Sequence, residues 1–465
     1  MNLQGRKLIL FELNEIPACV LARHAALNPR SCTSEILRRG HYHATRAEDE
    51  GELSPWVTWP TVHRGVTNRR HGISHLGQDT SAADRLYPPL WQLLAAGGRR
   101  VGMFGSLHSA PLPADRGNYA FFVPDCFAPD ERAHPEKLEA FQAFNLAMVD
   151  GNGRNVSAGF MSKPTARFLA AAPALGLRPA TCVRIARQLV EERIEPRRIV
   201  RRRTIQSLLS FDVFRSLLER TRPDCAFYFS NHVASAMHRY WPATFPHDYA
   251  DKWWDHEWQL AFGGEIDHAM KAADRMLRWL VDFTGRHREY VLIVLGSMGQ
   301  AASPYNDRRI GTQLLLKDPE KLLSALGVTD WARRRSMEPI YTFQLPPHEQ
   351  PSLYEGLQRT CVNGEALRPR WDDGGTVSVK FGHPNLTDEQ TTVTIGDRAH
   401  RPDELGLANV AIQDEVGSAT DHAPNGVMII VDPQVDQGSA GPELSTVEIA
   451  PAILRNFGIA PPSYM

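Results

Sequence analysis

The stretch Tyr290–Leu295, YVLIVL, is apolar at every position and is bounded by Glu289 and Gly296. A short run without polar alternation asks for burial on both faces, as in a strand inside a parallel sheet. KLILFEL (7–13), DCAFYFSNH (224–232) and NGVMIIVDP (425–433) carry the same strand texture. Helical stretches lie between them. PACVLARHAALNPRSCTSEILRRG (17–40) has Pro17 suited to a first turn and Gly40 to a stop, and GGEIDHAMKAADRMLRWLVDFTGR (263–286) has apolar residues at helical spacing. RLYPPLWQLLAAGGRRVGMFGSLHS (85–109) reads as helix, Gly-Gly stop and strand. Strands alternating with helices predict an α/β fold on a mainly parallel sheet with right-handed connections.

A chain of 465 residues suffices for one large domain with insertions. We read 1–465 as one such domain, with a mostly helical cap insertion over 110–221 and a smaller insertion or subdomain over 330–400. The first insertion holds the basic amphipathic run RIARQLVEERIEPRRIVRRRTIQSLL (184–209), which predicts a salt-bridged bundle face or a contact with an anionic partner. The second is rich in Pro, Gly and Asp. A formal net charge of −1 gives no global field toward nucleic acid, so no nucleic-acid partner is expected. Six scattered cysteines form no C-x-x-C pair, which predicts reduced thiols rather than a zinc knuckle. Glu12 cuts the first apolar run, unlike a secretion signal, and no window approaches a membrane span of about 20 apolar residues. A cytoplasmic protein is the expectation.

Polar residues cluster at the strand ends, where α/β folds bind ligands. FELNEIP supplies Glu12, Asn14 and Glu15, and alternation puts Glu12 and Asn14 on one side with Glu15 on the other. Such carboxylates bind metal, act as acid and base, or cap the next helix. SPWVTWPTVHRGVTNRRHGISHLG (54–77) concentrates Thr58, Thr61, His63, Arg64, His71 and His75. A hydroxyl there suits an activated nucleophile, an anion contact or an N-cap. FYFSNHVASAMHRYWP (227–242) holds Asn231, His232 and His238, and GSATDHAPNGVMII (417–430) holds Asp421 and His422. Histidines there are metal ligands or packed core residues.

The order of these segments, with STVEIAPAILRNFGIAPP (445–462) closing the chain, resembles the alkaline phosphatase superfamily in its type I phosphodiesterase/nucleotide pyrophosphatase branch. HAPNGVMII and MHRYWP resemble the segments whose histidines, here His422 and His238, are metal ligands. TWPTVHRGVTNRRHGI (58–73) resembles the nucleophile segment, with Thr58 at the reacting threonine. Counting back from His71-Gly72 without a gap puts Pro55 there instead. The resemblance implies an alkaline-phosphatase-like α/β/α sandwich with inserted cap segments, and a hydrolase or transferase acting on a phosphoester, phosphodiester or sulfate ester.

Three positions depart from the family. Asn14 and Ser297 stand where it has aspartates, and Met298 where it has a histidine. Those residues build its second metal site, and hard cations depend on such oxygens. Ala234 stands where the first site has an aspartate. We therefore expect a divergent site with one divalent ion, zinc or manganese, or none, held by His238, His422 and Asp421. Thr58, Thr61, His63 and Glu12 are the catalytic candidates. Asn14, Arg64, Asn231 and His232 are the substrate-binding candidates, and a small phosphate- or sulfate-bearing molecule is the expected partner. The alternatives are a catalytically inactive binding or scaffold protein on the same fold, and a metal-independent transferase or lyase.

Overall fold

The computed structural model describes residues 5–151, 154–156, 162–249, 254–303, 309–371, 375–435 and 437–465. At its centre is a sheet of eight strands. In chain order, with the short strands that flank it, these are β1 (Lys7–Leu13), β2 (His41–Arg46), β3 (Val101–Phe104), β4 (Tyr119–Val123), β5 (Cys225–Ser230), β6 (Tyr290–Leu295), β7 (Gly299–Ala302), β8 (Thr420–Ala423), β9 (Asn425–Val431) and β10 (Leu444–Ser445). The sheet runs β10-β2-β9-β6-β1-β5-β3-β4. Only β9 is antiparallel to its neighbours. β7 and β8 form a separate antiparallel ribbon pairing His422 with Gln300.

The apolar runs place this sheet in the middle. In β6, Tyr290, Leu292 and Val294 join the core on one face, and Val291, Ile293 and Leu295 join the core on the other. The first face is covered by α1 (Ala18–Leu27), α2 (Cys32–Arg39), α5 (Arg202–Thr221), α6 (His232–Thr244) and α7 (Glu265–Arg286). The second is covered by α3 (Pro55–Arg64), Leu90–Ala96 and Ile449–Asn456. This is an α/β/α sandwich with a mainly parallel sheet. β1 lies between β5 and β6, so three parallel strands deliver their C-terminal ends side by side.

Within 110–221, β4 is the edge strand of the central sheet, so the helical part begins only at Glu136. Much of the basic run is paired. Between α4 (Pro179–Ile194) and α5, Arg187 and Arg198 meet Glu191, Arg202 meets Glu192, and Arg201 makes a bidentate contact with Glu265 at 2.6 Å. Residues 152–153 and 157–161 of this segment, and 372–374 of the second insertion, lie outside the described residues. Around 330–400 a third apolar core reaches from Leu314 to Leu407, under two small antiparallel sheets. The six cysteines are free thiols. Among the described residues no helix is long and apolar enough to cross a membrane.

β3 and β4 pack through a glycine. A Cβ on Gly102 would stand 2.3 Å from the ring of Phe121, which is fully buried. Gly102→Ala is expected to destabilise the fold by about 1–3 kcal/mol through overpacking, read as a lower midpoint in urea unfolding. An unchanged midpoint would mean that the Phe121 ring yields freely.

Candidate functional site: a carboxylate and two imidazoles at the end of the central strand

Alternation along β1 sorts its polar residues. Glu12 follows Leu8 and Leu10 onto the α3 face, where it is fully buried. Its Oε1 lies 2.8 Å from His63 Nε2, and its Oε2 accepts from Ser106 Oγ at 2.6 Å. His63 is sealed as well, flanked by Trp59 and Trp91. Glu12 and His63 thus meet as a buried pair inside the core, away from the crevice. Asn14 is on the same side. Its Oδ1 accepts from Trp59 Nε1 at 2.8 Å, and its amide nitrogen donates to Glu15 Oε1 at 2.8 Å and Asn231 Oδ1 at 2.7 Å.

Glu15 takes a backbone φ of 55°, a region disfavoured for a side chain of its size. That turn carries its carboxylate to the other side of the strand end. Glu15 Oε2 lies 2.9 Å from His238 Nε2 and 3.5 Å from His422 Nε2. The three side chains offer ligand atoms within 4.8 Å of one another. His238 comes from α6 and His422 from the β8 edge of the ribbon. Gln300 on the facing strand also donates to Glu15 Oε2.

The surrounding hydrogen bonds fix both imidazole tautomers. Thr420 Oγ1 gives its proton to Gln300 Oε1 at 2.8 Å, and Ser418 Oγ gives its proton to the Thr420 carbonyl at 3.0 Å. Each hydroxyl has one proton, so at His238 Nδ1, 3.0 Å away, both can only accept. His238 Nδ1 therefore carries hydrogen. His422 Nδ1 faces the Leu53 carbonyl at 2.7 Å and carries hydrogen for the same reason. In neutral rings both Nε2 atoms are then bare and converge on a carboxylate oxygen. His422 Nε2 is buried and has no hydrogen-bond partner. Lone pairs facing a carboxylate call for a cation between them, a proton or a metal. Ring nitrogens oriented from behind are also how metal-binding histidines are held. The residues fit a divalent cation: two imidazoles and one carboxylate leave a coordination position open.

The other candidates fall elsewhere. Thr58 is one turn inside α3, fully buried, with its hydroxyl 3.2 Å from the Ser54 carbonyl and 2.8 Å from Ser297 Oγ. Ser297 and Met298 are themselves completely buried. Thr61 lies between Asp49 Oδ1 at 2.6 Å and His71 Nε2 at 3.0 Å. Burial, with the Arg64 guanidinium nearby, pushes His71 down to about 3, so its ring is neutral at physiological pH. Arg64 ends α3, far along the helix from Ser54, and is buried against Asp84. His75 pairs with Ser74 in the following loop. His232 bridges Ser230 Oγ and the Ala269 carbonyl, and burial pushes it down to about 4. Asn231 is exposed beside Asn14, whose amide nitrogen donates to its Oδ1. Asp421 is exposed and does not join the cluster, because alternation in β8 sends it to the side opposite His422.

The sequence reading named Glu15 among the strand-end carboxylates without joining it to the two histidines, and it did not single out Ser54. Glu15 was visible as a carboxylate at a strand end, but its left-handed backbone was not. Ser54 caps α3 without using its hydroxyl on a capping bond, is half-buried, and adjoins the Leu53 carbonyl that holds His422.

The cluster sets a pH dependence in protein stripped of metal. Burial alone would raise Glu15, but His238 and His422 hold it well below its ordinary 4.5, so its contribution is present above that pH and lost as pH falls. Burial alone would lower His422, but Glu15 raises it above 6.5, so its contribution is present below 6.5 and lost as pH rises through the raised value. Chelator-treated protein should be most stabilised by this pair between the two ordinary values, 4.5 and 6.5. A Tm profile against pH should decline above that window, and His422→Gln should flatten the decline. An identical decline in the variant would assign it to other groups.

No family model matches the sequence, and no curated protein does. Among solved structures the chain is similar to the murine ectonucleotide pyrophosphatase/phosphodiesterase 5, at a TM-score of 0.41 and 9% identity, over 98% of this chain and 96% of that one. An inactive variant of that murine protein in complex with AMP gives the same TM-score of 0.41, identity of 9% and coverages of 98% and 96%. Both carry the name of the phosphodiesterase/pyrophosphatase branch that the sequence motifs resemble, and a likeness at this level says nothing of this chain's chemistry.

Proposed function

We propose that the chain is a hydrolase or transferase of phosphate or sulfate esters that works with one divalent cation held by Glu15, His238 and His422. The observation that carries this reading is the buried His422 Nε2, which lacks a hydrogen bond and is aimed with His238 Nε2 at one carboxylate oxygen. Zinc or manganese bound there would supply Lewis acidity toward an ester oxygen.

The chain's own residues provide the rest. Ser54 offers an attacking hydroxyl at the N-terminus of α3, whose positive end favours an anionic ester beside it. Thr58 is less suited, since its hydroxyl is enclosed with Ser297. Asn231 would donate its amide hydrogens to a substrate oxygen while Asn14 holds its Oδ1. Thr420, Ser418 and Gln300 orient the ligands from behind. Residues 110–221 and 330–400 are read as insertions walling the crevice, linked by Arg335 Nε to Asp150 Oδ2 at 3.2 Å.

Metal analysis of protein purified without chelator is expected to give roughly one equivalent of zinc or manganese per chain. His422→Ala should abolish it, and Thr420→Ala should weaken affinity by about 10–100-fold. Turnover of p-nitrophenyl phosphate, its phosphodiester or its sulfate should fall by roughly 100-fold or more in Ser54→Ala and persist in Thr58→Val. No metal after purification and reconstitution would overturn the proposal. A second reading, a binding protein without turnover, draws on the burial of Ser297 and Met298 where the resemblance expects ligands. Bound metal with no turnover of any ester would select it.

A further inference from the structure

Away from this site, α7 presents Lys271 and Arg275 one turn apart on the same face. With Arg30, from the loop between α1 and α2, they line a recess of about 440 Å³. None of these cations makes a hydrogen bond or ion pair among the described residues. Arg184 on α4 brings a further like charge near Arg275. Asp274 lies between the two α7 cations, but its Oδ1 is spent on the Thr33 N–H at 2.7 Å and the Thr33 hydroxyl at 2.8 Å. His24 also lines the recess. It is 1% exposed, its Nδ1 has no partner, and its Nε2 lies 3.8 Å from Asp274. Several cations elsewhere on α5 and α7 have a carboxylate of their own, as Arg202 with Glu192 and Arg278 with Glu35. Here three cations share one carboxylate, Asp274.

We infer that this recess is a binding site for a phosphate group, gripped by Lys271, Arg275 and Arg30. Guanidinium and ammonium donors converging on one anion make charge-assisted bonds, and guanidinium forks match phosphate geometry. The recess has the size of a small-molecule site, so the phosphate can carry an organic part. That part has two sources, a soluble phosphorylated metabolite or a lipid headgroup. The second is suggested by α4, where Val183, Val190 and Ile194 are 68%, 58% and 80% exposed on one face. Apolar residues beside unpaired arginines are the pattern of a helix lying on an anionic bilayer.

The test uses the full chain treated with chelator, so that the Glu15 cluster has no cation to offer. Calorimetric titration with inorganic phosphate should show saturable binding. Lys271→Ala with Arg275→Ala should weaken it by roughly tenfold or more, whereas His422→Ala should leave it in place. Absence of binding, or equal affinity in the double variant, overturns the site. The substituted side chains are exposed, so circular dichroism should show an unchanged fold. Co-sedimentation with phosphatidylcholine vesicles, with and without phosphatidic acid, separates the sources. Pelleting only with phosphatidic acid, lost both in the Lys271/Arg275 variant and in Val190→Asp with Ile194→Asp, supports a lipid headgroup. Phosphate binding without pelleting supports a soluble ligand. Pelleting retained in the Lys271/Arg275 variant overturns the recess as the headgroup site.

Discussion

Glu15 Oε2 is the atom on which the site converges. It faces His238 Nε2 at 2.9 Å and His422 Nε2 at 3.5 Å, and both rings have spent their Nδ1 hydrogens elsewhere. A carboxylate in this position would repel two bare nitrogens, so a cation is part of the arrangement's stability. Protons serve in metal-free protein, and a divalent ion bound there would displace them, which would couple its affinity to pH. The cost of burying the charges is met by this mutual neutralisation and by the donors around them, Gln300 and Asn14.

Holding those three groups in place draws on distant parts of the chain. β1 ends between β5 and β6, which brings Glu15 beside the start of α6 and hence His238. The ribbon of β7 and β8 stands outside the central sheet and reaches back to supply His422 and Gln300 from facing strands. The start of α3 closes the fourth side through the Leu53 carbonyl. The sheet fixes the first element rigidly, while the ribbon depends on its hydrogen bonds to α6 and the loop before α3. Loss of any one support leaves a polar atom of the cluster without its partner.

Much of this was legible in the sequence. Apolar runs such as YVLIVL announce a strand buried on both faces, and the helical stretches between them announce the sandwich. His238 and His422 were marked by motifs. What escaped depended on backbone conformation or on three-dimensional packing. Alternation put Glu15 on the side opposite Asn14, but nothing in ELNEIP shows the left-handed turn that aims its carboxylate at the two histidines. Asp421 looked a better ligand than it is, because sequence adjacency to His422 becomes opposite sides of a strand. Thr58 matched a motif locally, yet the helix begins at Pro55 and encloses Thr58 one turn in. The basic run 184–203 could not reveal its partners, since Glu257 and Glu265 come from later in the chain.

The hydrogen bond between Thr58 and Ser297 makes the end of β6 a self-contained neutral pocket. Here two neutral hydroxyls meet in a fully buried pocket, and Met298, next in the chain, is fully buried as well. Placing an aspartate at 297 alone would bury a negative charge with no ion to meet it, and placing a histidine at 298 alone would bury an imidazole without a ligand to share. Each change taken singly is destabilising, so this pocket resists acquiring charge one residue at a time.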